Sequence, residues 1–288
     1  MNNLTPDSQK LLDLLTQEKK LVAMVAPSFP ADFTESQLVY SLKTLGFDRI
    51  VDLSLAIATV NKMYESFLSK KEEQILITAN CPATVNLIKT QFPKLEKFVA
   101  QIFSPMVCMG KICTKKFPGY LNVFIGPCLA KKLEAKNYPN EITLALTYKE
   151  IVNIFYTKNI DYKSHLVASE KFEDFHDEFL QIFPTSGGVK KTISEGTLTP
   201  EEIIVCDGPK ELPELFTKLK NRNISKKIRF LDVLFCKGGC IGGPGIINKR
   251  TLAAFKKRLL EYRTLKGNLP LCSEAEVKIN NNSENHPV

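Results

Sequence analysis

Two thiols four residues apart, Cys236 and Cys240, stand in a run of glycines, Cys236-Lys-Gly-Gly-Cys240-Ile-Gly-Gly-Pro-Gly245. Thiolates are soft ligands suited to iron–sulfur clusters. Glycines let a backbone turn sharply and come close to a bulky group. The chemistry suggested is metal binding, with an iron–sulfur cluster as its most natural form. Two cysteines do not complete such a site, so other ligands must be carried to this turn by the elements around it.

The turn directly follows an apolar segment, residues 228–235, that reads as a buried strand. Upstream, an amphipathic helix over 11–20 precedes a buried strand over 21–26, which Pro27-Ser28 ends. A capping-box pattern at Thr34 starts a helix that runs to residue 45, before Gly46. Further strands are expected at 49–52, 75–78, 121–125, 142–146 and 202–206. Helices are expected to about residue 68, from Pro82, from Pro105, over 129–135, from about 149, over 170–182, over 209–220 and over 249–263. The alternation predicts an α/β fold with mostly parallel sheet. In such sheets ligands gather outside the carboxyl ends of the strands. Four segments fall there: Ala26-Pro27-Ser28, Asn80-Cys81-Pro82, Gly126-Pro127-Cys128, and the Cys236–Cys240 turn after Leu234.

Length and composition set the frame. With 288 residues, 44% hydrophobic and 24% charged, the chain has ordinary globular composition and enough length for a large core. No apolar run approaches a membrane span, and the first residues lack a signal-peptide pattern, so a cytoplasmic protein without membrane attachment is expected. In that compartment eight cysteines read as thiols or metal ligands rather than disulfides. A net charge of +8 favours an acidic partner, but it is not organised as a nucleic-acid recognition motif. The expected organisation is an N-terminal helix over 1–20 and a cluster-binding domain over 21–270. That domain has lobes at 21–115 and 116–250 and a C-terminal basic helix, and a disordered tail covers 271–288.

Four cysteines can converge at the strand ends, the number a 4Fe–4S cubane needs. Spacing alone leaves the choice among the eight open. Cys206 also ends a strand, Cys108 and Cys113 sit five apart on a helix, and Cys272 precedes the tail. Buried cysteine is a common core residue, and that reading is favoured for these four.

Taken in order, the segments resemble the catalytic, H-cluster-binding domain of the FeFe hydrogenases over residues 20–247. Ala26-Pro27-Ser28, Leu45-Gly-Phe-Asp48, Thr78-Ala-Asn-Cys-Pro82, Ser104-Pro105, Pro127-Cys128-Leu-Ala-Lys131-Lys132, Phe183-Pro-Thr-Ser-Gly-Gly188 and Cys236-Lys-Gly-Gly-Cys240 carry the resemblance. It implies two twisted four-stranded parallel sheets flanked by helices, with the metal site in the cleft between the lobes. It implies that Cys81, Cys128, Cys236 and Cys240 hold a 4Fe–4S cluster. Cys240 would also bridge to a diiron subcluster bearing carbon monoxide, cyanide and an azadithiolate. Lys131 and Ser28 would each serve a cyanide, and Ala26, Pro27, Gly126, Pro127, Met106, Phe183 and Leu234 would line the pocket. Family chemistry is reversible formation of H₂ from protons and electrons.

Departures from the family pattern bear on function. The family has a proton-passing cysteine immediately before the first ligand, beside the bridgehead amine of the dithiolate; here that position is Asn80. An amide has no titratable proton near neutral pH. The next relay positions, two glutamates and a serine, align with Tyr64, Phe67 and Ala100, while Glu65 points away by about a third of a turn. Gly126 replaces a usual methionine, Met106 a glutamine and Pro184 a glycine. The ferredoxin-like cysteine runs usual before this domain are not in this sequence, so electrons are expected from an external donor such as ferredoxin, or to pass to a signalling partner. The basic stretches at Lys218–Arg222 and Lys256–Arg258 could receive an acidic partner, although a solvated helix face is the ordinary reading of both. Separate maturation proteins would supply the diiron unit. The expected function is slow or sensory H₂ chemistry. The alternative is a non-catalytic iron–sulfur protein related to cluster-assembly factors.

Overall fold

The structure, a computed structural model, describes residues 4–70, 75–163, 170–173, 177–194, 196–248 and 251–265. In chain order the elements are α1 (Pro6–Thr16), β1 (Leu21–Val25), α2 (Glu35–Leu45), β2 (Arg49–Asp52), α3 (Ser54–Ser69), β3 (Leu76–Ile77) and α4 (Pro82–Gln91). There follow α5 (Pro105–Lys116), β4 (Leu121–Gly126), α6 (Ala130–Asn137), β5 (Leu144–Thr147), α7 (Tyr148–Thr157) and α8 (Gly188–Thr192). The last four are β6 (Ile203–Asp207), α9 (Glu211–Lys220), β7 (Phe230–Leu234) and α10 (Leu252–Leu265).

Helices begin where the capping chemistry directs. Thr34, Ser104 and Thr147 each accept a backbone N–H from the first turn, and Thr147 forms a full capping box with Glu150. Gly46 closes α2 in the left-handed conformation that glycine tolerates. The strands form an all-parallel four-stranded sheet, β2-β1-β4-β5, and an all-parallel sheet β3-β7-β6. Every residue of β1 is buried, as expected for a central strand covered on both faces.

The parallel α/β architecture is as expected, with two corrections. Among the described residues the second sheet has three strands rather than four. Its fourth position is a single parallel bridge from Val99 to Ile77, next to a hydrogen bond from Ala100 N–H to the Ile77 carbonyl. β3 is only two residues long, because the chain turns to deliver Asn80 and Cys81, and so it can template little more. The lobes also do not divide near residue 115. The first sheet combines strands from residues 21–52 and 121–147, and the second joins β3 to β6 and β7. Crossover connections allow strands far apart in sequence to be neighbours in a parallel sheet.

Among the described residues the helix expected over 170–182 is replaced by an anchored stretch at 170–173 and a 3₁₀ segment, Glu178–Ile182. There Glu173 N–H donates to the Ile50 carbonyl, Phe172 N–H donates to Glu35, and the Phe172 ring packs edge-on to Phe29. These contacts hold the stretch to α2 and β2 at the expense of helical geometry. Cys272 and the tail over 271–288 lie outside the described residues.

One charged residue interrupts the apolar β7. Asp232 is buried and accepts the backbone N–H of Lys190 at 3.0 Å, which docks α8 on the sheet. Burial pushes its carboxyl up from 3.8 to about 6, against the opposing pull of the Lys190 and Val189 N–H groups. The folded protein therefore holds this proton more tightly than the unfolded chain does. The associated stabilisation is complete below the unfolded value and is lost as pH rises toward the folded one. Asp232→Asn is expected to flatten the stability curve across that window, by on the order of 3 kcal/mol. Urea midpoints for both proteins at about pH 4 and about pH 7 would measure it.

Candidate metal centre

The carboxyl ends of the strands deliver the cysteines. Cys81 follows β3 at the N-cap position of α4, with Pro82 opening that helix. Cys128 follows β4, and the Cys236–Cys240 turn follows β7. Cys81 lies close enough to Cys128, Cys236 and Cys240 to bear on the ionisation of all three. Burial pushes the Cys236 thiol up to about 12, and Cys81 and Cys128 add to the shift. Burial also raises Cys240 well above the ordinary thiol value, with Cys81, Cys128 and Cys236 acting in the same direction and Lys131 against it. Cys128 is raised by burial, opposed first by Lys131. Protonated thiols grouped this way must release protons on binding metal. Among the described residues no three metal-ligating side chains come together tightly enough to hold a single ion. The mutual influences place the four thiols near one another, as the ligands of a polynuclear cluster would be.

The glycine turn is held on both sides. Gly239 has φ +92°, and a Cβ there would lie 2.3 Å from the Pro184 carbonyl oxygen. That oxygen accepts the Cys240 N–H at 2.7 Å, and Thr185 bridges to Gly239. On the other side Gly245 N–H donates to the Pro127 carbonyl at 2.8 Å, and a Cβ on Gly245 would meet the same oxygen at 2.8 Å. The turn is thereby clamped between the Phe183–Thr185 segment and the residue before Cys128. Asp32 fixes its continuation by accepting the N–H groups of Ile247 and Asn248.

Beside the cysteines lies a cavity. Ala26, Pro27, Ser28, Met106, Pro127 and Phe183 are in its wall. Leu234, Asn80, Lys131, Cys81, Cys128 and Cys240 complete the predicted set found there. Gly126 is not in the wall. A Cβ on it would lie 2.6 Å from Phe124 Cζ, and it is the Phe124 ring that lines the cavity. Cys236 is also outside the wall, so the two thiols of the turn face different surroundings. Apart from the thiols, the polar side chains of the wall are Ser28, Asn80 and Lys131, and it contains no carboxylate. Such a wall suits a group that presents hydrogen-bond acceptors or negative charge.

Each of the three polar groups has a defined setting. Lys131 Nζ lies 2.5 Å from Glu134, 2.9 Å from Ser104 Oγ and 3.4 Å from the Asn80 carbonyl. Its three protons thus have protein partners, and the long contact to Asn80 is the one most readily exchanged for a bound acceptor. Ser28 Oγ lies 2.9 Å from the Tyr148 hydroxyl, which also donates toward the Ala26 carbonyl at 3.1 Å. Tyr64 donates to Asn80 Oδ1 at 2.8 Å and accepts the Ala79 N–H at 2.9 Å. Burial drives the Tyr64 hydroxyl far above its ordinary value, so it stays protonated. The neighbouring aligned positions carry no acid either. Phe67 is partly exposed with Lys70 over its ring, Ala100 is buried, and Glu65 turns away to accept from Ser194.

Residues 19–244 match the family model described as the iron only hydrogenase large subunit, C-terminal domain. The chain belongs to this iron-only hydrogenase family. It is 23% identical to the NADP-reducing hydrogenase subunit HndD of Solidesulfovibrio fructosivorans, over 81% of this chain and 51% of that protein. It is 23% identical to iron hydrogenase 1 of Clostridium pasteurianum, over 79% and 50%. It is also 22% identical to the cytosolic Fe-S cluster assembly factor NAR1 of Kluyveromyces lactis, over 74% and 60%. The chain thus spans about half the length of the two curated hydrogenases. In fold it is similar to the [FeFe]-hydrogenase HydA1 variant E141Q of Chlamydomonas reinhardtii, with a TM-score of 0.72 at 16% identity, covering 90% of this chain and 88% of that one.

Several parts of this hydrogenase-family site have no simple sequence signal. Tyr148 begins α7 directly after β5, and only the fold places its hydroxyl at Ser28. Glu134 does carry a signal: it is three residues after Lys131 on one helix, a spacing at which side chains meet. Phe124 alternates with Val123 along β4 and shares a face with Gly126, which is how its ring comes to fill the space over the glycine.

Proposed function

We propose that this chain is an H-cluster protein with slow or sensory dihydrogen chemistry. Cys81, Cys128, Cys236 and Cys240 would hold a 4Fe–4S cluster, with Cys240 shared with a diiron subcluster carrying carbon monoxide, cyanide and azadithiolate ligands. The cavity wall would receive that subcluster, with Lys131 and Ser28 directed to its cyanides. When bound, the cofactor supplies reversible reduction of protons to H₂. The observation that carries this reading is the nearness of four thiols, three of them in the wall of a largely apolar cavity that holds Ser28, Asn80 and Lys131 and no carboxylate, in a chain of the hydrogenase family. Infrared spectroscopy of the matured protein tests it. Carbonyl and cyanide bands are expected, and their absence would overturn the reading.

Low rate is inferred from the residue pair at the wall. Asn80 and Tyr64 are hydrogen-bonded and neither has a proton to give at neutral pH. Asn80→Cys is expected to raise H₂ evolution by at least about tenfold, since a positioned general acid contributes roughly 10²–10⁴-fold. An unchanged rate in the matured variant would show that protons arrive by another route.

The relative NAR1 favours a second reading, a non-catalytic iron–sulfur protein related to cluster-assembly factors. That protein would show cluster absorbance without carbonyl or cyanide bands. In either case a cytoplasmic setting and an external redox partner, a ferredoxin-like donor or a signalling protein, are part of the proposal. No described helix is long and apolar enough to cross a membrane. The Lys218–Arg222 stretch lies by a basic groove with Lys94, Lys97 and Arg229, at the amino ends of β3 and β7. The cysteines follow the carboxyl ends of those strands, so a partner exchanging electrons with the cluster is better placed on the cysteine side.

A further inference from the structure

Tyr64 and Asn80 are more than missing relay groups. Tyr64 is fully buried on α3, its ring edge-on to Phe230 at 5.7 Å, and this packing confines its hydroxyl. The hydroxyl oxygen accepts the Ala79 N–H. Its single proton then needs an acceptor, and the side-chain oxygen of Asn80 at 2.8 Å is that acceptor. This determines which way the carboxamide faces. The reverse orientation would set the amide N–H against the hydroxyl and leave the tyrosine proton without a buried acceptor, at a cost of about 1–3 kcal/mol. With the oxygen committed to Tyr64, the amide nitrogen of Asn80 has no protein partner among the described residues; it is itself buried, in a residue that is 7% exposed and belongs to the cavity wall. A buried donor without a partner marks a place where a bound group is expected to accept.

We propose that Tyr64 locks the Asn80 carboxamide so that its N–H₂ group is a fixed hydrogen-bond donor to an acceptor atom of the group bound in the cavity. This rests on the H-cluster reading and assigns a role to the pair within it. Asn80 makes the contact, and Tyr64 is a positioning residue. The group bound there would have to offer this donor a lone-pair acceptor. A lone pair engaged by a neutral donor is less available to a proton, so the pair would hold the site in one protonation state.

The test uses infrared spectra of the matured full chain. Asn80→Ala removes the donor, and loss of an electron-withdrawing hydrogen bond is expected to move the carbonyl bands to lower wavenumber. Tyr64→Phe keeps Asn80 but frees its carboxamide to turn. Its spectrum should show the Asn80→Ala positions or a split between the two sets. The double variant should add nothing to Asn80→Ala. Unshifted bands in Asn80→Ala would overturn the donor role, and unshifted bands in Tyr64→Phe would overturn the lock. If the unaltered matured chain has no carbonyl or cyanide bands, the H-cluster reading fails, and with it the assignment of the acceptor. The lock itself is still read from denaturant midpoints of the chain before maturation. Coupled residues give a double variant less destabilised than the sum of the singles, whereas additive shifts would overturn the lock.

Discussion

Gly239→Ala is expected to lose most of its cluster and much of its stability. Gly239 lies at φ +92° and ψ −163°, a region that costs a residue with a side chain about 1–3 kcal/mol. Its added methyl would also stand 2.3 Å from the Pro184 carbonyl oxygen, a backbone atom that cannot rotate away as a side chain can. Overpacking of this kind costs about 1–3 kcal/mol more. The two sum to roughly 2–6 kcal/mol, a large part of the 5–15 kcal/mol that ordinarily separates native and unfolded states. Relief would require the turn to move off Pro184. That movement breaks the 2.7 Å hydrogen bond from Cys240 N–H and displaces the thiol. Iron per chain, visible cluster absorbance and the urea midpoint should therefore fall together. A variant with normal iron content and midpoint would show that the clamp is unimportant.

Lys131→Ala is the second large effect, and it has two separable parts. The lysine and Glu134 side chains are 11% and 13% exposed and lie 2.5 Å apart. Removing the ammonium leaves a nearly buried carboxylate unpaired, which costs about 3–5 kcal/mol. It also removes the only positively charged side chain in the described cavity wall. Adding Glu134→Gln should restore most of the stability by removing the stranded charge, because a neutral amide needs no counter-ion. It should not restore cofactor retention if Lys131 serves a cyanide. Thermal unfolding of the single and double variants reads the first part, and cyanide band intensity after maturation reads the second. Restoration of both by Glu134→Gln would assign Lys131 a purely structural role.

The way these two sites were reached shows what is local and what is not. Capping residues, the apolar strand cores and the cysteine motifs are short-range features, and the elements they predict are close to those observed. Thr34, Ser104 and Pro82 start helices where expected. The segment over 170–182 misled because its backbone bonds go to Ile50 and Glu35, partners more than a hundred residues away. A two-residue strand such as β3 is likewise set by its neighbour β7 and by the turn it must feed. The basic stretch Lys218–Arg222 read from sequence as a solvated helix face or, alternatively, a partner surface; which end of the sheet it occupies was not legible, and strand direction puts Lys220 and Arg222 in a groove at the amino ends of β3 and β7.

The sequence by itself, through its family resemblance, carried the proposed ligand chemistry: four cysteines in three motifs, the lysine three residues after Cys128, the glycines of the last turn, and an asparagine where the family has a proton-passing thiol. These are properties of residue identity and close spacing, and they survive without coordinates. Only the tertiary structure decided what that asparagine is bonded to. Tyr64 lies sixteen residues away on a different element, and its hydroxyl is bound to Asn80 because α3 packs beside the β3 turn. It likewise decided that Phe124 fills the space over Gly126 and that Tyr148 reaches Ser28. The physical reason is the same in each case. A hydrogen bond or close contact depends on position to within a few tenths of an ångström, and packing between distant segments, rather than local sequence, sets that position.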